Sequence, residues 1–356
     1  MDEILTHNQS VLDPIDYVVF AALLLFSTCI GLFFAYYDSR KTRKRSDSSE
    51  FDESGYLVGN RSMSAGPVAL SLTASFMSSI TVISTPAEIY YYGTMFMWFF
   101  VSYVLVAFIV NYLYMPFFYR QGKFHCQNKI LNLIRLGYTS TYQYIEERFG
   151  RPLKLLLCVI YTFNTIVYAG IVIYAPALAI NKVCAINMEA AILVMGVVCC
   201  IYTSLGGIKA VIWTDVVQYL AMYAGFMAVI GKGAVDFGGI MPIIEIAREH
   251  GRMSPSDLSP DPRVRHTVWS CVLGGTFGLW LGVYGVNQAN VQRYISCRSQ
   301  KEASKAVWIN CAALILINFT ACASGLGKYP SFHSFHFPSC QNLFRNFSHV
   351  RLLSRM

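Results

Sequence analysis

One carboxylate stands where a membrane-crossing stretch should have none: Asp215, in "YTSLGGIKAVIWTDVVQ" (202–218). An acidic side chain less than two turns inside a bilayer costs about 3 kcal/mol on insertion scales and is by default a functional group. The bland alternative is a salt bridge or a cap close to the interface. A second feature is "ASFMSSITVISTP" (74–86), where Ser75, Ser78, Ser79, Thr81, Ser84 and Thr85 crowd a charge-free run that closes on Pro86. An unsatisfied backbone group in hydrocarbon costs several kcal/mol, so a helix break persists there only when protein, water or an ion occupies it. Freed carbonyl oxygens and half-helix ends suit a hard cation such as Na⁺ and a charged solute. The alternative is that the hydroxyls bond back to their own helix and let neighbours pack closely. A third feature, "GGTFGLWLGVYGVNQANVQRY" (274–294), combines Gly274, Gly275, Gly278, Gly282 and Gly285 with Asn287, Gln288, Asn290 and Gln292. Glycine weakens a helix by roughly 1 kcal/mol against alanine, so such a density points to close packing or a second break. Two interrupted spans in corresponding places are the mark of a secondary transporter built from inverted repeats.

The elements that must position these groups follow from composition. The chain has 356 residues, of which 55% are apolar, 15% aromatic and only 13% charged. Charge-free runs occupy 17–37, 62–87, 89–119, 155–181, 190–208, 216–231, 266–292 and 306–327. A spanning helix needs about 20 mostly apolar residues, so the runs predict eight spans in an all-α polytopic membrane protein, with a transmembrane domain over 17–327. The N-terminus carries Asp2, Glu3, Asp13 and Asp16 and has no signal-peptide-like basic region; the cluster "RKTRKR" (40–45) follows the first run. The bias of positive charge toward the cytoplasm then places residues 1–16 outside and 38–61 inside, the latter as a charge-dense linker. Glu88 ends the first interrupted run near the expected outer face, as a surface group or a gate. The net charge of +8 is a topology signal, and no basic face stands clear of the membrane to bind nucleic acid. The cysteines show no metal or disulfide spacing, and most fall inside apolar runs where they act as small apolar residues.

Four segments together, "SLTASFMSSITVISTPAEIYYYG", "YAGIVIYAPALAIN", "YTSLGGIKAVIWTDVVQ" and "YGVNQANVQRYISC", resemble the sodium/solute symporter family, in particular its animal monocarboxylate, multivitamin and iodide carriers. The resemblance covers residues 15 to about 325. It implies a leucine-transporter-type inverted-repeat fold with an extra N-terminal helix. It also implies a plasma-membrane carrier, not an enzyme, that uses Na⁺ as coupling ion and no organic cofactor. By the same likeness the sodium site takes the backbone carbonyls of Ala74 and Met77, with Asp215 near the ion's exit path. The solute is expected at Ser78, Thr81, Tyr284 and Asn287. Position 81 is Thr, as in the monocarboxylate carriers, where the sugar and iodide carriers have Gln; this favours a small organic anion such as lactate, pyruvate or nicotinate, with biotin, pantothenate or iodide as alternatives. Two departures stand out: 123–138 reads as an insertion, and 328–356 as a divergent tail after which the second repeat is incomplete. The expectation from the second departure is that the 356-residue chain is a truncated form that transports nothing by itself, or a non-transporting regulatory isoform.

Overall fold

In the computed structural model, residues 53–77, 79–119, 140–184, 186–249 and 266–334 are described, with scattered positions between 18 and 36 and between 251 and 263. Among them the secondary structure is helical throughout, and the only β feature is a single parallel bridge between Met63 and Cys297. In chain order the helices are α1 (Glu53–Val58), α2 (Ala65–Phe76), α3 (Ser79–Tyr92), α4 (Thr94–Tyr119), α5 (Thr141–Phe149) and α6 (Arg151–Cys184). They continue with α7 (Met188–Asp236), α8 (Ile240–Glu249), α9 (Ser270–Val286), α10 (Gln288–Ile295) and α11 (Gln300–Ser334).

Among the described residues four stretches are long and apolar enough to cross a bilayer: Thr94–Tyr119, Arg151–Asn181, Thr203–Asp236 and Gln300–Gly327, with α2 and α3 together a fifth, broken one. Met188–Ile201 and Ser270–Val286 are shorter apolar helices. The expected run 17–37 is described only in part, at helical positions between 18 and 36, and 123–138 lies outside the described residues. Much of the apolar surface of α6 faces outward; Val159, Phe163 and Ile166 are each about two-thirds exposed (67%, 70% and 66%). A surface of this kind is stable only against lipid or another apolar face.

Two expectations are adjusted. The segment 38–61 is not a linker along its whole length, because Glu53–Val58 folds as α1 and seats Val58 at 1% exposure. The interruption of the broken span falls at Met77, whose φ and ψ are −84° and 77°, within the Ala74–Met77 stretch where the resemblance puts it, and α3 runs through Pro86 to Tyr92. The last helix does not stop at 327 but continues to Ser334, so 328–334 belongs to α11.

The chain divides into two compact units. The first takes Met1–Ile80, Leu105–Leu220 and Trp280–Ala313. Its core is the base of α2, fastened to the turn between α10 and α11: Met63 N–H donates to Ser296 O at 3.1 Å, and Arg298 N–H donates to Met63 O at 3.2 Å. Glu302 Oε2 accepts the Ala65 N–H at 3.1 Å, which caps the first turn of α2 where Ser64 makes no side-chain cap. α5 begins in a capping box of Ser140 and Gln143.

The second unit takes Thr81–Val104, Ala221–Leu279 and Leu314–Met356. Here the end of α3 is stapled by Arg252, whose carbonyl accepts the Thr94 N–H at 3.0 Å while its Nη1 donates to Tyr91 O at 2.6 Å. α4 and α9 meet closely because Gly275 has no side chain; a Cβ there would lie 2.7 Å from Ser102 Oγ and 2.8 Å from the Phe99 ring. Ser102 Oγ donates to Cys271 O across this contact at 2.6 Å.

Candidate functional site

The polar centre of the first unit forms around the last two turns of α2. Ser71 and Ser75 are four residues apart and so share one face of that helix. Asp215 comes to this face from α7. That helix is interrupted eight residues earlier at Gly207, whose φ of 58° and ψ of −162° are open to glycine and strained for other residues. This break sets the direction of the segment carrying Asp215. Ser71 Oγ donates to Asp215 Oδ2 at 2.6 Å, and Ser75 Oγ lies 3.3 Å from the same oxygen while bonding Ser71 O at 2.8 Å.

Arg293 completes the cluster from α10. Its Nη2 lies 3.1 Å from Asp215 Oδ2, its Nε donates to Ser71 Oγ at 2.8 Å, and its Nη1 donates to Ala289 O at 3.0 Å. The side chains of Arg293 and Asp215 are 9% and 13% exposed. Two opposite charges at this depth hold each other: either one alone would carry an uncompensated desolvation cost.

On its other side α2 meets α9 and α11. The Thr73 hydroxyl lies 2.8 Å from Asn310 Oδ1. Tyr284 is buried, with its ring edge-on to Phe76 at 5.7 Å between centroids and stacked on Trp280 at 6.0 Å. Its hydroxyl is turned toward the Asn310 side chain and completes no hydrogen bond of good geometry. α9 is wound as a π-helix over Ser270–Trp280 and Gly282–Val286, a form concentrated at functional sites.

The structure describes every expected site residue except Ser78. Ala74 and Met77 stand at the end of α2, where the Met77 N–H bonds both Thr73 O and Ala74 O at 3.2 Å. Asp215 reaches the same end through Ser75. Tyr284 packs on Phe76, the residue before the break. The Asn287 side chain is engaged in capping α10, accepting the Ala289 N–H at 2.9 Å. Thr81 belongs to the second unit, and Ser78 lies outside the described residues. In that second unit Glu88 is paired: its Oε1 is 2.6 Å from His266 Nε2, with Tyr92, Phe96 and Phe99 presenting their rings edge-on to the imidazole.

Sequence reasoning did not assign Arg293, Ser71, Asn310 or His266 to a site. Arg293 was readable in principle. It ends the charge-free run 266–292, and an interior carboxylate such as Asp215 calls for a cation of this kind.

The Sodium:solute symporter family profile matches residues 56–338, which carries the match past Gly325, where the resemblance read from the sequence ends. The chain is 46% identical over 325 residues to the sodium-coupled monocarboxylate transporter 2 of Mus musculus, covering 91% of this chain and 48% of that one. It is 45% identical over 315 residues to the sodium-coupled monocarboxylate transporter 1 of Xenopus laevis, covering 88% and 46%. The sodium/iodide cotransporter of Homo sapiens is 41% identical over 326 residues, covering 92% and 47%. The chain thus spans about half the length of these relatives. Among solved structures, a Na⁺-coupled sialic acid symporter in a substrate-bound outward-open state superposes with a TM-score of 0.77 at 24% identity, over 90% of this chain and 62% of that one. The expected all-helical, leucine-transporter-type fold is therefore the observed one.

Proposed function

The chain belongs to the sodium:solute symporter family, a family of membrane transporters, and from that premise we propose that it takes part in Na⁺-coupled symport of a small organic anion. The observation that carries the proposal is the buried Asp215–Arg293 pair set against Ser71 and Ser75 at the end of the interrupted helix α2.

A transported Na⁺ must exchange its hydration shell for oxygens, and the end of α2 offers them in three kinds. They are the carbonyls of Ala74 and Met77, the hydroxyls of Ser71 and Ser75, and the carboxylate of Asp215. In the state described here the guanidinium of Arg293 neutralises that carboxylate. Arrival of Na⁺ makes Arg293 dispensable as counter-ion, so the two cations alternate at one carboxylate. Because each cation favours a different arrangement of α7 and α10 around α2, ion binding shifts the balance between outward- and inward-facing states. In this reading Tyr284 faces the solute, and no covalent step is involved. The protein is a multi-pass membrane protein, placed in the plasma membrane with its N-terminus outside and "RKTRKR" in the cytoplasm.

The solute class rests on relatives named as monocarboxylate transporters and on Thr81; the relative named as an iodide cotransporter makes iodide the competing solute. Thermal unfolding of the purified chain in Na⁺, with lactate, nicotinate, biotin or iodide added, separates them. Stabilisation by the monocarboxylates and only in Na⁺ is expected. Stabilisation by iodide alone, or equal effects in Na⁺ and K⁺, refutes the assignment.

A further inference from the structure

The six-residue helix α1 touches both elements that carry the buried ion pair. On one side, Tyr56 Oη lies 3.1 Å from Ser204 O and 3.4 Å from Thr203 O. These carbonyls sit in the last turn before Gly207, where the backbone leaves helical φ and ψ. The phenol therefore caps the first half of α7. Contact is close: a Cβ on Gly207 would lie 3.0 Å from both Tyr56 Cδ2 and Tyr56 O. Asp215 follows eight residues after Gly207, about 12 Å along the helix at 1.5 Å per residue. On the other side, Gln292 Nε2 donates to Leu57 O at 2.5 Å, and Gln292 is the immediate neighbour of Arg293 on α10.

We infer that α1 is a bracket, and Tyr56 a positioning residue, that fixes the break in α7 relative to α10 and so holds Asp215 and Arg293 in register. Tyr56 touches neither member of the pair; it acts through the two elements that bear them. The consequence for ion handling rests on the proposed function. With the bracket loosened, Arg293 occupies Asp215 less of the time, and Na⁺ meets a more available carboxylate.

The test is a double-mutant cycle on the purified full chain with Tyr56→Phe, Asp215→Asn and the combination, read by thermal unfolding. Sites without shared partners add, whereas coupled ones do not. The double variant is expected to lose clearly less than the sum of the two single losses, because removing Asp215 removes what the bracket positions. Additive losses overturn the inference. Gln292→Met, on the opposite arm, provides the second variant should Tyr56→Phe fail to fold, and it is held to the same criterion. As a readout that a merely structural role would not move, the Na⁺ concentration giving half-maximal thermal protection should fall in Tyr56→Phe, by up to about fivefold for a hydrogen bond of ordinary strength. An unchanged or higher value contradicts the bracket. If the wild-type chain shows no Na⁺ protection at all, the symporter reading fails, and the cycle with Asp215→Asn still decides the bracket on its own.

Discussion

Arg293 Nη2 and Asp215 Oδ2 lie 3.1 Å apart, and both charges are nine-tenths or nearly so withdrawn from solvent. Removing one partner leaves a buried charge alone, a loss of about 3–5 kcal/mol, while replacing both by neutral groups of similar size is close to neutral. Arg293→Leu should therefore unfold at a clearly lower temperature than wild type, and Arg293→Leu with Asp215→Leu should recover most of the loss. Equal losses in the single and double variants would show that the two side chains are not energetically a pair.

Gly207 is the pivot of α7. At φ 58° an L side chain is strained, and the position also presses on Tyr56. Gly207→Ala should cost roughly 1–3 kcal/mol, because this pairing of φ with ψ −162° is nearly exclusive to glycine, with the contact adding to it. Thermal unfolding in detergent measures this; an unchanged midpoint would mean that the break is not held at this residue.

The turn between α10 and α11 is closed over Cys297. Burial, helped by the nearby Glu302 carboxylate, pushes its thiol up to about 12, and the residue is 1% exposed. A thiol of raised pKa stays protonated and unreactive below that pH. Maleimide at pH 8 should leave Cys297 unlabelled in the folded chain and label it in denaturant; rapid labelling under native conditions would show that the turn opens.

How much of this was legible in the sequence depends on what each residue reports about itself. Asp215 declared itself because a carboxylate in an apolar run has no inexpensive explanation, and the break near Met77 because hydroxyl-rich segments are poor choices for plain lipid contact. Pro86 sits within α3 without ending it, since a proline's missing N–H is tolerable within a packed membrane helix. Helix α1 was hidden because its charged flank dominates the composition of 38–61, whereas its stability comes from Val58 and from Tyr56 reaching carbonyls some 147 residues away. Pairings of that kind, like Glu88 with His266, depend on tertiary approach, which no local pattern encodes.

Charge asymmetry is the basis for proposing that "RKTRKR" (40–45) lies in the cytoplasm. An epitope inserted there should be reached by antibody only after permeabilisation, and one fused to the N-terminus without it. Staining of the 40–45 epitope on intact cells would reverse the topology proposed here.

The central claim is that Asp215, at the end of α2, receives the coupling ion in exchange for Arg293. Its most direct test is Na⁺-dependent thermal protection of the purified chain, wild type against Asp215→Asn, with K⁺ and choline as controls. The account predicts that Na⁺ alone protects the wild type, and that the half-effective Na⁺ concentration rises about tenfold or more in Asp215→Asn, corresponding to about 1.4 kcal/mol of lost ion binding. The same Na⁺ response in wild type and Asp215→Asn would contradict it and return the Asp215–Arg293 pair to a purely structural role.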